Sequence, residues 1–232
     1  MKLDILAFGI HPDDVELGAG GFLALESARG RECGIIDLTR GEMGTNGTPE
    51  VRIQEAETSA EILGMKLRRN LGLRDRGLDK ENSDLVTEVV REFQPDVVLL
   101  PYWEDRHPDH CLGSKLVEEG VFNAGLGKYT GGLAWKPKSL FYYFINSQPT
   151  PSFLVDVSSA YSLKGSALGA HKSQFSLGAG QAQTRLNSGL LYLIESRDRF
   201  YGAQIGVQYA EGFVLKQPLA IADPVGLLGG TI

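Results

Sequence analysis

The sequence has only two cysteines, Cys33 and Cys111, in 232 residues. A disulfide framework is therefore excluded. No run approaches the ~18 consecutive apolar residues that a membrane span needs. Residues Met1 to Leu6 show no basic segment followed by an apolar core, so no secretory signal is expected and a cytoplasmic location is. An excess of positive charge is missing too. Twenty-three Lys and Arg face 29 Asp and Glu, a formal charge of −6. Nucleic-acid-binding chains carry a basic face, so that class is disfavoured. Histidine is scarce: His11, His107, His110 and His171 are all there are.

What is present suits one α/β domain spanning residues 1–232. The length and the 42% hydrophobic content suffice for a core without staples. Leu3 to Ile10 reads as a buried strand that stops at His11-Pro12-Asp13-Asp14. Val15 to Gly30 reads as a helix, and Cys33 to Leu38 as the next strand. This strand–helix–strand unit starts a parallel sheet with crossover helices. Further along, the spacing predicts helices at 49–63, 83–93 and 110–123 and strands at 65–71 and 96–101. After Gly125 the expectations are an aromatic β-type run at 139–145, helices at 160–169 and 184–201, and a polar loop at 171–183. The fold class is α/β: a Rossmann-like, open, mainly parallel sheet flanked by helices.

The chemistry concentrates in two segments, His11-Pro12-Asp13-Asp14 and His107-Pro108-Asp109-His110. Each follows an apolar strand and precedes a helix. In open parallel sheets ligands gather at the carboxyl ends of the strands, so the two segments can share one crevice. Two imidazoles and a carboxylate suit a mononuclear Zn²⁺ that keeps a position open for water. His11, Asp14 and His110 are the economical ligand set, with Fe²⁺ an alternative metal. Asp13 is then the free carboxylate that serves as general base. His107, protonated, would stabilise an oxyanion, with Asp109 hydrogen-bonded to it and raising its pKa. Either segment alone reads better as helix capping, and it is two such segments at two matching strand ends, each with an extra acid, that favour a site.

These segments resemble the two signatures of the LmbE-like, or PIG-L-type, zinc deacetylases. Within that family the sequence is most similar to the deacetylases of bacillithiol biosynthesis, through Thr39 to Glu42, Gly47 to Glu55, His171 to Phe175 and Arg199 to Pro218. The resemblance implies an LmbE-like deacetylase fold and removal of an acetyl group from an N-acetylglucosaminyl conjugate such as N-acetylglucosaminyl malate. It also implies the same assignments for His11, Asp14, His110, Asp13, His107 and Asp109, and a homo-oligomer, to which Phe141 to Phe144 would lend an interface or else a core strand.

Glu42, Arg52 and Asp75 are the expected substrate contacts. Glu42 would accept sugar hydroxyls, and Arg52 would grip a carboxylate with two donors. The alternative for Arg52 is a surface ion pair with Glu55 or Asp75. Asp105 and Arg106 read as a structural pair, and His171 as either a loop contact or mere surface. Gly18, Gly20 and Gly21 fail the dinucleotide fingerprint, because the turn before them is not glycine-rich. A metal-dependent phosphoesterase and a non-catalytic metal- or sugar-binding module are the competing functions.

Overall fold

The computed structural model describes residues 1–129, 132–221 and 223. Seven strands form one sheet in the order β3-β2-β1-β4-β5-β7-β6. They are β1 (Ile5–Gly9), β2 (Cys33–Thr39), β3 (Leu67–Leu73), β4 (Val97–Pro101), β5 (Ser139–Tyr143), β6 (Phe153–Asp156) and β7 (Ala210–Val214). The first five run parallel, and β7 turns antiparallel between β5 and β6. The order reverses between β1 and β4, and their carboxyl ends flank the crevice that such a switch leaves open.

The helices are α1 (Asp14–Ala28), α2 (Pro49–Leu63), α3 (Ser83–Phe93), α4 (Pro108–Ala124), α5 (Tyr161–Ala170), α6 (Lys172–Phe175) and α7 (Leu191–Gln204). Two apolar clusters cover the two faces of the sheet. One packs α1, α5 and α7 through Leu17, Leu23, Ala167 and Ile194. The other packs α3 and α4 through Val86, Val90, Val117 and Val121. Strands buried on both sides explain why β1, β2 and β4 read as continuous apolar runs.

Helix α1 lies close on the sheet because Gly18 permits it. A Cβ there would meet the Tyr143 ring at 2.1 Å. Helix α2 starts as its sequence says: Thr48 caps the Val51 N–H, and Pro49 opens the first turn.

Of the two readings of the aromatic run, the core strand holds, with Tyr142, Tyr143 and Phe144 at most 1% exposed. Two expectations need correction. The segment 171–183 is not all loop, because Lys172–Phe175 is a helix turn with His171 buried before it. Strands β6 and β7 are additions to the expected elements. No helix among the described residues is long and apolar enough to cross a membrane.

Candidate metal centre and active site

The ends of β1 and β4 bring the two histidine segments together. The His11 and His107 ring centroids lie 5.0 Å apart, and those of His107 and His110 lie 4.7 Å apart, nearly parallel. Asp14 sits between the two outer rings. Its Oδ2 is 3.4 Å from His11 Nδ1, and its Oδ1 is 3.3 Å from His110 Nε2. Ligand atoms of His11, Asp14 and His110 all lie within 4.8 Å of one another. The three side chains are buried. They face a cavity of about 300 Å³, also lined by Asp13, Asp75, His107, Asn146 and Gln174.

The other nitrogen of each candidate ligand is tied to a carboxylate. His11 Nε2 lies 3.2 Å from Asp75 Oδ1, and His110 Nδ1 lies 3.1 Å from Asp105 Oδ1. Imidazoles that bind metal are held in this way, with an acid fixing ring and tautomer. Asp105, expected to pair with Arg106, instead serves His110, the His107 N–H and Asn146. Asp75, expected on substrate, instead braces His11 and accepts from the Met43 N–H.

His11, His107 and Asp109 also offer ligand atoms within 4.8 Å of one another. That set is the poorer one, because Asp109 already takes two bonds from Arg76, at 2.8 Å from its N–H and 3.1 Å from Nη1. Asp14 accepts backbone N–H bonds from Ile10 and His11 on the oxygen facing His11, and it has no arginine partner among the described residues.

Electrostatics follow from this packing. Burial opposes charge on His11, yet the bonds to Asp14 and Asp75 outweigh it and raise the imidazole to about 9. Burial likewise opposes charge on His110, and the Asp14 charge with the Asp105 bond raises it to about 10. Without metal both rings therefore hold a proton at neutral pH. That stabilisation is present in full below the ordinary histidine value and is lost as pH rises through about 9 to 10. Metal must displace these protons. Titration of the metal-free protein with Zn²⁺ at pH 7.5 in buffers of different ionisation enthalpy should release about two protons per ion. Release of none would contradict this assignment.

Asp13 lies against the ligand set with its backbone at φ 123°, a conformation that costs a non-glycine residue of order 1–3 kcal/mol and persists only where the surroundings impose it. Arg52 supplies part of that hold. Its Nη2 donates to the Pro12 carbonyl at 2.8 Å and to Asp13 Oδ2 at 3.2 Å, and its Nη1 donates to the Gly41 carbonyl at 2.9 Å. Arg52 is 4% exposed. Its two-pronged grip, expected on substrate, is thus directed inward. Gly41 makes room for it: φ is +64°, and a Cβ would lie 1.9 Å from Arg52 Nη1. Burial pushes the Asp13 carboxyl up and Arg52 pulls it back, leaving it at about 6.

His107 corrects another expectation. Its Nδ1 accepts the Asp109 N–H at 3.2 Å as the N-cap of α4. Nδ1 is thereby an acceptor, and the neutral ring carries its proton on Nε2. Burial, then the charges of His110 and His11, lower its pKa despite Asp109 nearby. His107 is a neutral donor, not an imidazolium. Glu42 is exposed and absent from the cavity lining; its Oε1 accepts the Asp75 N–H at 2.7 Å.

Known proteins share this arrangement's sequence and fold. Residues 6–121 match the family model PIG-L, GlcNAc-PI de-N-acetylase. The chain is 32% identical over 231 residues to the diacetylchitobiose deacetylase of Thermococcus kodakarensis, covering 90% of this chain and 81% of that one. The chain belongs to the PIG-L family. It is also 26% identical to the probable N-acetyl-alpha-D-glucosaminyl L-malate deacetylase 2 of Bacillus cereus, over 75% of this chain and 84% of that one. Among solved structures, a conserved protein of Thermus thermophilus superposes with a TM-score of 0.87 at 40% identity, covering 96% and 98% of the two chains. This PIG-L member is thus an N-deacetylase of N-acetylglucosamine-containing substrates, in a metal-dependent family.

Proposed function

We propose that this deacetylase is a Zn²⁺ enzyme of the cytoplasm that acts on N-acetylglucosaminyl malate, as in bacillithiol biosynthesis, and works as a homo-oligomer. The observation that carries the catalytic reading is the Asp13 carboxylate, held by Arg52 beside the buried His11–Asp14–His110 set and part of neither candidate ligand group. A closed structural metal site would have no such spare acid, which argues against a mere binding module. Two imidazoles and one carboxylate are typical zinc donors. His11, Asp14 and His110 would hold the ion, which when bound acidifies water and polarises a carbonyl.

The chain's own groups do the rest. Asp13 takes a proton from the attacking water. His107 donates its Nε2–H to the carbonyl oxygen as negative charge develops there. A neutral imidazole keeps that proton, so the leaving amine is protonated by Asp13, which returns the one it took. The products are the free glucosamine conjugate and acetate.

The malate arm is supported by arginines other than the expected one. Arg106 and Arg185 both line the cavity and are exposed. Among the described residues Arg106 donates only to Asn146 Oδ1, at 3.2 Å. Neither has a carboxylate partner among the described residues, in a chain whose acids outnumber its bases. An unneutralised guanidinium pair at the rim suits an acidic aglycone better than a neutral sugar.

The test is the ratio of kcat/KM on N-acetylglucosaminyl malate to that on N,N′-diacetylchitobiose. Replacing Arg106 and Arg185 together with Ala should lower the first by about 10- to 100-fold, the scale of charge-assisted bonds. The second should change by no more than about twofold. An equal fall on both substrates would refute the acidic aglycone while leaving the deacetylase reading intact.

A further inference from the structure

The segment His171-Lys172-Ser173-Gln174-Phe175 follows α5 and forms α6, and three of its side chains reach three different elements that carry active-site residues. His171 Nε2 lies 2.9 Å from Glu16 Oε1, in the first turn of α1 just after Asp13 and Asp14. Ser173 donates its N–H and its hydroxyl to the two Glu55 oxygens, at 2.7 and 2.6 Å. Glu55 lies on α2, three residues beyond the Arg52 that grips Asp13. Gln174 Nε2 donates to the Asn46 carbonyl at 2.7 Å, in the loop that walls the cavity. His171, Ser173 and Gln174 are at most 6% exposed. The fit is tight: Gly47 has φ +78°, and a Cβ there would lie 2.6 Å from Ser173 Oγ.

Glu16 is the focus of this arrangement. It is 0% exposed, and one of its oxygens, Oε1, accepts from three elements at once. Ser59 Oγ on α2 donates at 2.6 Å, Arg68 Nη1 on β3 donates as well, and His171 completes the set. Arg68 in turn holds Asp37 on β2 through two bonds. The opposite atoms, Glu16 Oε2 and His171 Nδ1, are buried with no partner among the described residues. Groups placed only for stability would be satisfied on both sides, and each buried exception calls for a reason. Here the donors converge so as to fix where the first turn of α1 stands. That turn carries Asp13 in a backbone conformation that its surroundings must impose.

We propose that His171 is a positioning residue for Asp13, acting through Glu16, so that the strap at 171–174 sets the base, the Arg52 helix and the cavity loop as one unit. The proposal rests on Asp13 being the base.

Kinetics of His171→Gln and His171→Asn test it. The Gln amide can stand where Nε2 stands; the Asn amide reaches only the Nδ1 position. His171→Asn should lower kcat by about 10-fold, the scale on which small misplacements act, with KM within about twofold and zinc stoichiometry unchanged. His171→Gln should stay within about threefold of wild type. In an Asp13→Asn background the same His171→Asn change should have no further effect on kcat. Ser59→Ala removes another donor from the same oxygen without touching the strap, and should lower kcat in the same sense. Additive losses in both backgrounds would overturn the proposal. So would wild-type kcat in His171→Asn, or in Ser59→Ala, or a Gln variant no better than Asn. Full activity in Asp13→Asn alone would instead show that the base is misassigned, and the proposal would fall with it.

Discussion

Asp13→Ala should keep its zinc and lose about 100-fold or more of kcat, the scale of a lost general base. Three observations separate it from the ligands beside it. Its carboxylate bonds to Arg52, whereas His11 and His110 both face Asp14. It belongs to neither group of side chains that could share an ion. It also carries the strained backbone of the corner, at φ 123°, which places it where a regular first helical turn would not.

Its protonation gives a second readout. Burial raises the Asp13 carboxyl to about 6. The base must be ionised to work, so activity should fall as pH drops through that value, with bound zinc moving the limb to lower pH. In Asp13→Ala this acid limb should vanish from whatever activity remains. An Asp13→Ala protein that loses zinc but is fully active per remaining ion would make Asp13 a ligand and sink the assignment.

The second large effect is on the metal. His110→Ala should leave zinc occupancy below about a tenth under conditions that saturate the wild type, because one of only three protein ligands is gone. Asp105→Asn gives the graded comparison. Asp105 belongs to neither candidate ligand group; it orients His110 through Nδ1 and holds the His107 N–H. Loss of such an outer carboxylate typically costs 10- to 100-fold in affinity, so Asp105→Asn should bind zinc about that much more weakly yet reach full occupancy at higher concentration. Wild-type stoichiometry in His110→Ala, measured on folded protein by atomic absorption, would remove His110 from the ligand set.

Much of this is legible in the sequence alone. The apolar runs ending at His11 and at Pro101 are strands buried on both faces, and their ends meet because the strand order reverses between them. A short, abruptly ending run is a local signal, so β1, β2 and β4 can be read from it. The last two strands cannot. Strand β7 carries Glu211 inside the core, where Lys164 Nζ at 2.7 Å and the Gly21 and Phe22 N–H groups satisfy it. A buried acid with distant partners looks polar in sequence. Strand β6 is four residues following Pro151, three half-buried and Asp156 exposed, with no alternation to betray it.

The side-chain roles that differ from expectation share one cause. Sequence proximity and charge are the only guides, and they pair Asp105 with its neighbour Arg106 and send Arg52 to the substrate. Their actual partners, His110 through a turn and Asp13 across 39 positions, are set by helix starts and loop packing. The polar neighbours of His171 suggest a loop at the surface. Its partner Glu16 lies 155 residues away, and no local pattern announces a contact of that range. Asp109 stands at the site as expected, but its carboxylate turns to Arg76, a residue that adjacency does not suggest.

One assay bears most directly on the central claim: acetate released from N-acetylglucosaminyl malate by zinc-loaded protein, with free amine counted alongside. One acetate for each new amine is expected, abolished by chelation and restored by zinc. Absence of acetate from every N-acetylglucosaminide offered, with phosphate released from phosphate esters under the same conditions, would contradict it.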